Sequence, residues 1–180
     1  MNTNAAAYEL QGVYRNTDQV EKNIMDYALL ASLSNIALSF IPGVSTAALV
    51  TGSIGFTVAL YASLCKLMEI HMSENTLRIL ASAAFSNLTA NLTSALILSL
   101  VASFIPGLSN ISGPVIAFAA VYLAGNMFVK LLSIYAREGQ RVDEMSEEEI
   151  HKAMEEIRIS KEEARNAIRI GTEQIKANRT

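Results

Sequence analysis

Hydrophobic and polar positions divide this chain into two long uncharged stretches and a charged tail. From Tyr27 to Cys65, 39 residues pass without Asp, Glu, Lys, Arg or His, and from Ile79 to Val129 another 51 do so. Ser39-Phe40-Ile41-Pro42-Gly43-Val44-Ser45 lies in the first stretch and returns in the second, offset by 64 positions, as Ser103-Phe104-Ile105-Pro106-Gly107-Leu108-Ser109. Proline lacks an N–H and disfavours helix in the residue before it, and glycine tolerates positive φ, so Pro-Gly inside a helix-favouring run predicts a turn. Each stretch therefore predicts a helical hairpin. Its tip is Phe40, Ile41, Pro42 and Gly43 in the first and Phe104, Ile105, Pro106 and Gly107 in the second.

Residues 1 to about 16 are polar and are expected to fray. Asn16 or Thr17 can cap a first helix, carried by Val20, Ile24, Tyr27, Ala28 and Ala31 at helical spacing and ending near Phe40. Ser45 or Thr46 can cap a second, running to about Ile70, along which Ala48, Gly52, Gly55, Ala59 and Ala62 form a stripe of small residues that would let a neighbouring helix come close. Ser73 caps a third, expected over Glu74 to Phe104, interrupted by Asn87, Thr89, Asn91, Thr93 and Ser94, where a kink or a buried hydrogen-bonding layer is expected. Asn87-Leu88-Thr89 and Asn91-Leu92-Thr93 also read as glycosylation sequons, here taken as chance. The fourth helix starts after Ser112-Gly113 with Pro114 in its first turn, carries its own small stripe (Gly113, Ala117, Ala120, Ala124), and holds one charge, Lys130, between Val115 and Ile134. Alone, that segment reads as a transmembrane candidate.

The same offset of 64 pairs Ala31 with Ala95, Leu33 with Ile97, Ile36 with Leu100, Lys66 with Lys130 and Ile70 with Ile134. Two repeated hairpins, about 27–72 and 79–137, would make a four-helix apolar body of residues 1–137. From 138 to 180 the pattern becomes that of amphipathic helices in water. Ser146 with Glu149 and Ser160 with Glu163 read as capping boxes, and Ile150, Ala153, Met154 and Ile157, then Ala164, Ala167, Ile168, Gly171 and Ile175, form narrow apolar stripes. These stripes should dock on the body, on a partner or on a second copy. The fold class expected is all-α.

Composition sharpens the division. Of 31 charged residues in 180, five lie between Tyr27 and Ala136 and twenty from Arg137 onward. A net charge of −3 gives no phosphate-binding excess, so no nucleic-acid partner is expected. The one cysteine, Cys65, forbids an internal disulfide and reads as a buried inert thiol, and the N-terminus lacks the basic and apolar regions of a cleavable signal.

Chemistry is sparse. His71 and His151 lie 80 residues apart without a cysteine or second histidine at ligand spacing, and neither a nucleophile elbow nor a phosphate loop occurs. Glu147, Glu148 and Glu149 match a helix dipole. No catalytic, cofactor or metal residue is assigned, and no enzyme is expected. The distinctive charges are Lys66 and Lys130, each following about 20 uncharged residues, with Arg78 and Arg137 close by. They could snorkel to headgroups on one side of a membrane, leaving both tips on the other. A lysine in the last turns of a helix also simply complements the dipole.

Phe40-Ile41-Pro42-Gly43, the run Leu60 to Ser73 (Leu-Tyr-Ala-Ser-Leu-Cys-Lys-Leu-Met-Glu-Ile-His-Met-Ser), Ser103 to Gly107 and Tyr122-Leu123-Ala124-Gly125 resemble a bacterial helical family that includes the YcjF-like inner-membrane proteins and occurs fused to, or encoded beside, GTPases. The resemblance covers about residues 25–137. His71 or Met72 stands where the family often has a junction glycine, and the first turn lacks the usual second proline and acidic residue. It implies a membrane-associated accessory module working with a GTPase partner at the bacterial inner membrane or its cytoplasmic face, and it transfers no catalytic residue. Two other classes fit the pattern: a colicin-like pore former that keeps an uncharged hairpin inside a soluble bundle until it meets lipid, and a soluble cytoplasmic homo-oligomer that hides its uncharged stretches between subunits.

Overall fold

Apolar residues recurring three and four apart, with Ser or Thr at helix starts and no β-branched alternation, give helices throughout. The computed structural model describes residues 17–39, 46–91 and 112–178. Among them are six α-helices and no strand: α1 (Thr17–Ser39), α2 (Thr46–Leu67), α3 (Glu74–Asn91), α4 (Ser112–Arg137), α5 (Glu147–Glu156) and α6 (Lys161–Ala177), with a 3₁₀ turn at Val142–Glu144 before α5. The fold is all-α, as the pattern predicts. Both Pro-Gly turns, Phe40 to Gly43 and Phe104 to Gly107, lie outside the described residues, as does the expected continuation of the third helix beyond Asn91.

The middle of the bundle is α4. It packs against all five other helices, most extensively α1, then α6 and α2. Its Val115, Phe118, Val121, Met127, Phe128, Leu131 and Leu132 are fully buried, and each large apolar side chain removed from water contributes about 1.5–3 kcal/mol. The first-helix stripe lands on it, with Val20, Ile24, Ala28 and Ala31 buried. Where α1, α2 and α4 meet stands Gly125. A Cβ there would lie 3.0 Å from Ile24 Cγ1 and Cγ2 and from Leu60 Cδ2, so glycine sets how closely the three helices approach. Beside it the Tyr61 hydroxyl donates to the Ala124 carbonyl at 2.9 Å, and the Tyr61 ring stacks on Phe128 with centroids 4.3 Å apart. Residues near 61 on α2 thus face residues near 125 on α4, the spacing of the repeated phrase in the sequence.

Helices α2 and α4 end alike. After α2, Ile70 N–H donates to Cys65 O and Glu69 N–H to Lys66 O; after α4, Gln140 N–H donates to Tyr135 O and Gly139 N–H to Ala136 O. These are Schellman caps, which need a left-handed residue. At α4 it is Gly139 (φ 70°), but at α2 it is Glu69 (φ 59°), where a side chain costs about 1–2 kcal/mol. The sequence carries the second helix on to about Ile70; the cap ends it at Leu67.

The tail docks on the body. The stripe Ile150, Ala153, Met154 and Ile157 is buried, with α5 seated on α3, and the stripe Ala164, Ala167, Ile168, Gly171 and Ile175 is buried, with α6 seated on α4. Both capping boxes form: Glu149 N–H to Ser146 Oγ with Ser146 N–H to Glu149 Oε2, and Glu163 N–H to Ser160 Oγ with Ser160 N–H to Glu163 Oε2.

Candidate functional site

Two features of the surface are candidates for function. The first is the outer face of α1 and α2. The Ser63 hydroxyl donates to Asn23 Oδ1 at 3.2 Å, which sets the two antiparallel helices in register. To one side of this contact the exposed positions include Glu21 and Lys22 on α1 and Lys66 and Glu69 at the end of α2, and Asp26, one turn past Asn23, is the last charge on α1. Beyond Asp26, toward residue 39 of α1 and residue 46 of α2, the exposed positions among those described are Leu30 and Leu33 on α1 and Gly55, Ala59 and Ala62 on α2, all uncharged. Leu30 and Leu33 expose 49% and 45% of their surfaces. The uncharged part of α2 from Thr46 to Cys65 rises about 30 Å, the thickness of a bilayer's hydrocarbon core.

This placement corrects the reading of the described part of the α2 small-residue stripe. Gly55 and Ala59 are exposed, and nothing lies within 4 Å of a Cβ built on Gly55. No helix among the described residues approaches them, because α2 turns Leu60, Tyr61 and Leu64 inward instead. Ala48 and Gly52 fall on α2 where side-chain surroundings lie outside the described residues. On α4, Ala117 and Ala124 are buried while Gly113 and Ala120 are half-buried.

The four cations singled out in the sequence stand on three helices. Lys66 closes α2, Arg78 sits early on α3 and donates to the Glu74 carboxylate across one turn at 2.7 Å, and Arg137 closes α4. Lys130 has a protein partner that the sequence did not reveal: its ammonium bonds the Glu163 carboxylate of α6. Burial works to raise the Glu163 carboxyl, but the Lys130 hydrogen bond, the Ser160 N–H and hydroxyl, and the Lys130 charge outweigh it and hold the group below the ordinary glutamate value.

The second feature is α4 itself. Among the described residues it is the one helix, from Gly113 to Arg137, long and apolar enough to cross a membrane, and 67% of its apolar window is buried inside the bundle. Its cover comes partly from α6, which runs antiparallel alongside. Lys130 meets Glu163 at one level and Phe118 meets Gly171 at another, so closely that a Cβ on Gly171 would lie 2.7 Å from Phe118 Cδ1.

One member of the polar stretch of the third helix, Asn87, finds its partner here. Asn87 is 3% exposed, and its amide donates to Met154 O and, at 3.2 Å, to Ile157 O, satisfying carbonyls at the end of α5. Five polar residues, Asn87, Thr89, Asn91, Thr93 and Ser94, flagged this stretch, but not the partner 70 residues on. Of the other residues weighed, Cys65 is buried, and His71 is exposed in an open groove with Glu69, Met72 and Ser73. No cluster of three or more His, Cys, Asp or Glu that could hold a metal ion occurs among the described residues.

Fold and surface together define an all-α bundle whose middle helix is, among the described residues, the one of membrane-spanning length and apolarity. Comparison with protein-family models, with curated proteins and with solved structures gives no match.

Proposed function

We propose that this chain is a non-enzymatic, membrane-associated helical interaction module. The uncharged outer face of α1 and α2 meets the bilayer, Lys66, Arg78 and Arg137 lie on the headgroup side, and the charged outer surfaces of α5 and α6 face water and a protein partner. The observation that carries this reading is the change of character along one exposed face, from Lys22, Asp26 and Lys66 to Leu30, Leu33, Gly55 and Ala59. Paired exposed leucines, with Asp26 the last charge one turn before them, suit the boundary between headgroups and lipid better than open water. The family resemblance supplies a GTPase as the candidate partner and the cytoplasmic face of a bacterial inner membrane as the place.

The burial of α4 favours a second reading, a soluble bundle or homo-oligomer in which Leu30 and Leu33 meet a second copy. Flotation with vesicles and carbonate extraction of expressed protein separate the two. The membrane reading expects the chain to float, and Leu30→Glu with Leu33→Glu to abolish flotation at unchanged helicity and Tm. A chain that stays soluble, and whose double variant falls from dimer to monomer in light scattering, would establish the second reading.

A further inference from the structure

We propose that α6 is a releasable clasp, which covers the apolar α4 while the bundle is in water and must leave before α4 can enter a bilayer. The inference rests on the membrane reading above and adds a step to it. As built, the bundle cannot present α4 to lipid. With Lys130 against Glu163 and Phe118 against Gly171, α6 lies along α4 from its charged half toward its uncharged N-terminal half. The outward positions of α6 include the charged Lys161, Glu162, Arg165, Arg169, Glu173 and Lys176. Arg169, Glu173 and Lys176 therefore sit beside the Gly113 to Phe118 part of α4, where a spanning α4 would be surrounded by hydrocarbon and a charge is strongly disfavoured. Either α4 stays a core helix or α6 departs.

The contacts are those of a separable element. The inward stripe of α6 is narrow and built mostly of small residues, Ala164, Ala167 and Gly171 with Ile168 and Ile175, so its departure uncovers little apolar surface of its own. Its ion pair with Lys130 is half-exposed, at 42% and 40% of the two side chains, and such pairs hold weakly. The joint is Arg158 to Ser160, non-helical, with Arg158 and Ser160 exposed. By contrast α5 is tied to α3 through the two carbonyls on Asn87, so it stays when α6 swings. A released α6, amphipathic with its own capping box, remains a helix able to lie at an interface.

A lock built into the contact tests this. A Cβ on Gly171 lies 3.2 Å from Phe118 Cβ, within a few tenths of an ångström of disulfide range. The full chain carrying Cys65→Ala, Phe118→Cys and Gly171→Cys is compared with itself, oxidised and reduced, on vesicles of phosphatidylglycerol and phosphatidylcholine. Flotation reads attachment; protection of a fragment spanning Gly113 to Arg137 from proteinase K, identified by mass, reads entry of α4. Equal flotation with the fragment protected several-fold more in the reduced state is expected. Equal protection in both states, or flotation without protection in either, overturns the clasp while leaving attachment standing. Absence of flotation in both removes the membrane reading and the clasp with it. Lys130→Glu, which sets two carboxylates against each other without touching the core, is expected to raise the protected yield about two- to fivefold at low salt, with the gain shrinking as salt rises. A yield equal to that of the parent chain would overturn the clasp independently.

Discussion

Two glycines on neighbouring helices place opposite demands on a side chain. Gly125 stands where α1, α2 and α4 converge, with Ile24 and Leu60 atoms 3.0 Å from an added Cβ, while Gly55 has nothing within 4 Å. Replacing a helical glycine by alanine gains about 0.8–1 kcal/mol in propensity wherever there is room. At Gly55 that gain should appear undiminished, raising Tm by about 2–4 °C. At Gly125 crowding, typically about 1–3 kcal/mol, should exceed it, so Gly125→Ala lowers Tm and Gly125→Val lowers it further. Thermal melts of the two alanine variants measured side by side check both signs. A destabilising Gly55→Ala would mean that something outside the described residues packs on that face.

At the scale of the element, the start of α6 concentrates three roles in one carboxylate. Glu163 completes the Ser160 capping box, complements the helix dipole in the first turn and pairs with Lys130. Its folded-state proton affinity lies below the ordinary glutamate value, so the stability it adds is present above about pH 4.3 and is lost as pH falls through the folded value. Glutamine keeps the capping box and drops the charge. Between about pH 6 and about pH 3, melts of the parent chain should therefore lose more stability than those of Glu163→Gln. Solvent screening of a pair this exposed keeps the difference small. Parallel pH profiles would show that the pair contributes no charge-dependent stability.

On the scale of the whole molecule, the two tail helices are held differently. Val142, 1% exposed in the core, anchors the segment entering α5, and Asn87 anchors the end of α5. The joint before α6 has only Ile157 buried before Arg158 and Ser160 come out to solvent. Limited trypsin digestion should cut first after Arg158 or Lys161, separating α6 and leaving α5 with the body. First cleavage after Arg137 or Arg141, removing α5 and α6 together, would mean that the tail behaves as one unit.

What the sequence determined by itself is local. Helical spacing of Val20, Ile24, Ala28 and Ala31, serine with glutamate three residues on at Ser146 and Ser160, and the amphipathic stripes of the tail each depend on residues within a turn or two of one another, and each is found in the structure. The expectation that the stripes dock somewhere was legible as well, since an apolar face in water must be covered. Which surface covers them was not. Nothing near Lys130 in the sequence announces Glu163, and nothing near Asn87 announces the end of α5, because those contacts close loops of 33 and 70 residues. The small-residue stripe of α2 shows the same limit from the other side. Gly55 and Ala59 are spaced for a helix to pack on, but Leu60, Tyr61 and Leu64 on the opposite side bury more apolar surface and turn these two residues outward. Only the tertiary structure decided that α4, apolar enough for lipid, lies at the middle of the bundle under α6, because burial is a competition among all faces of all helices.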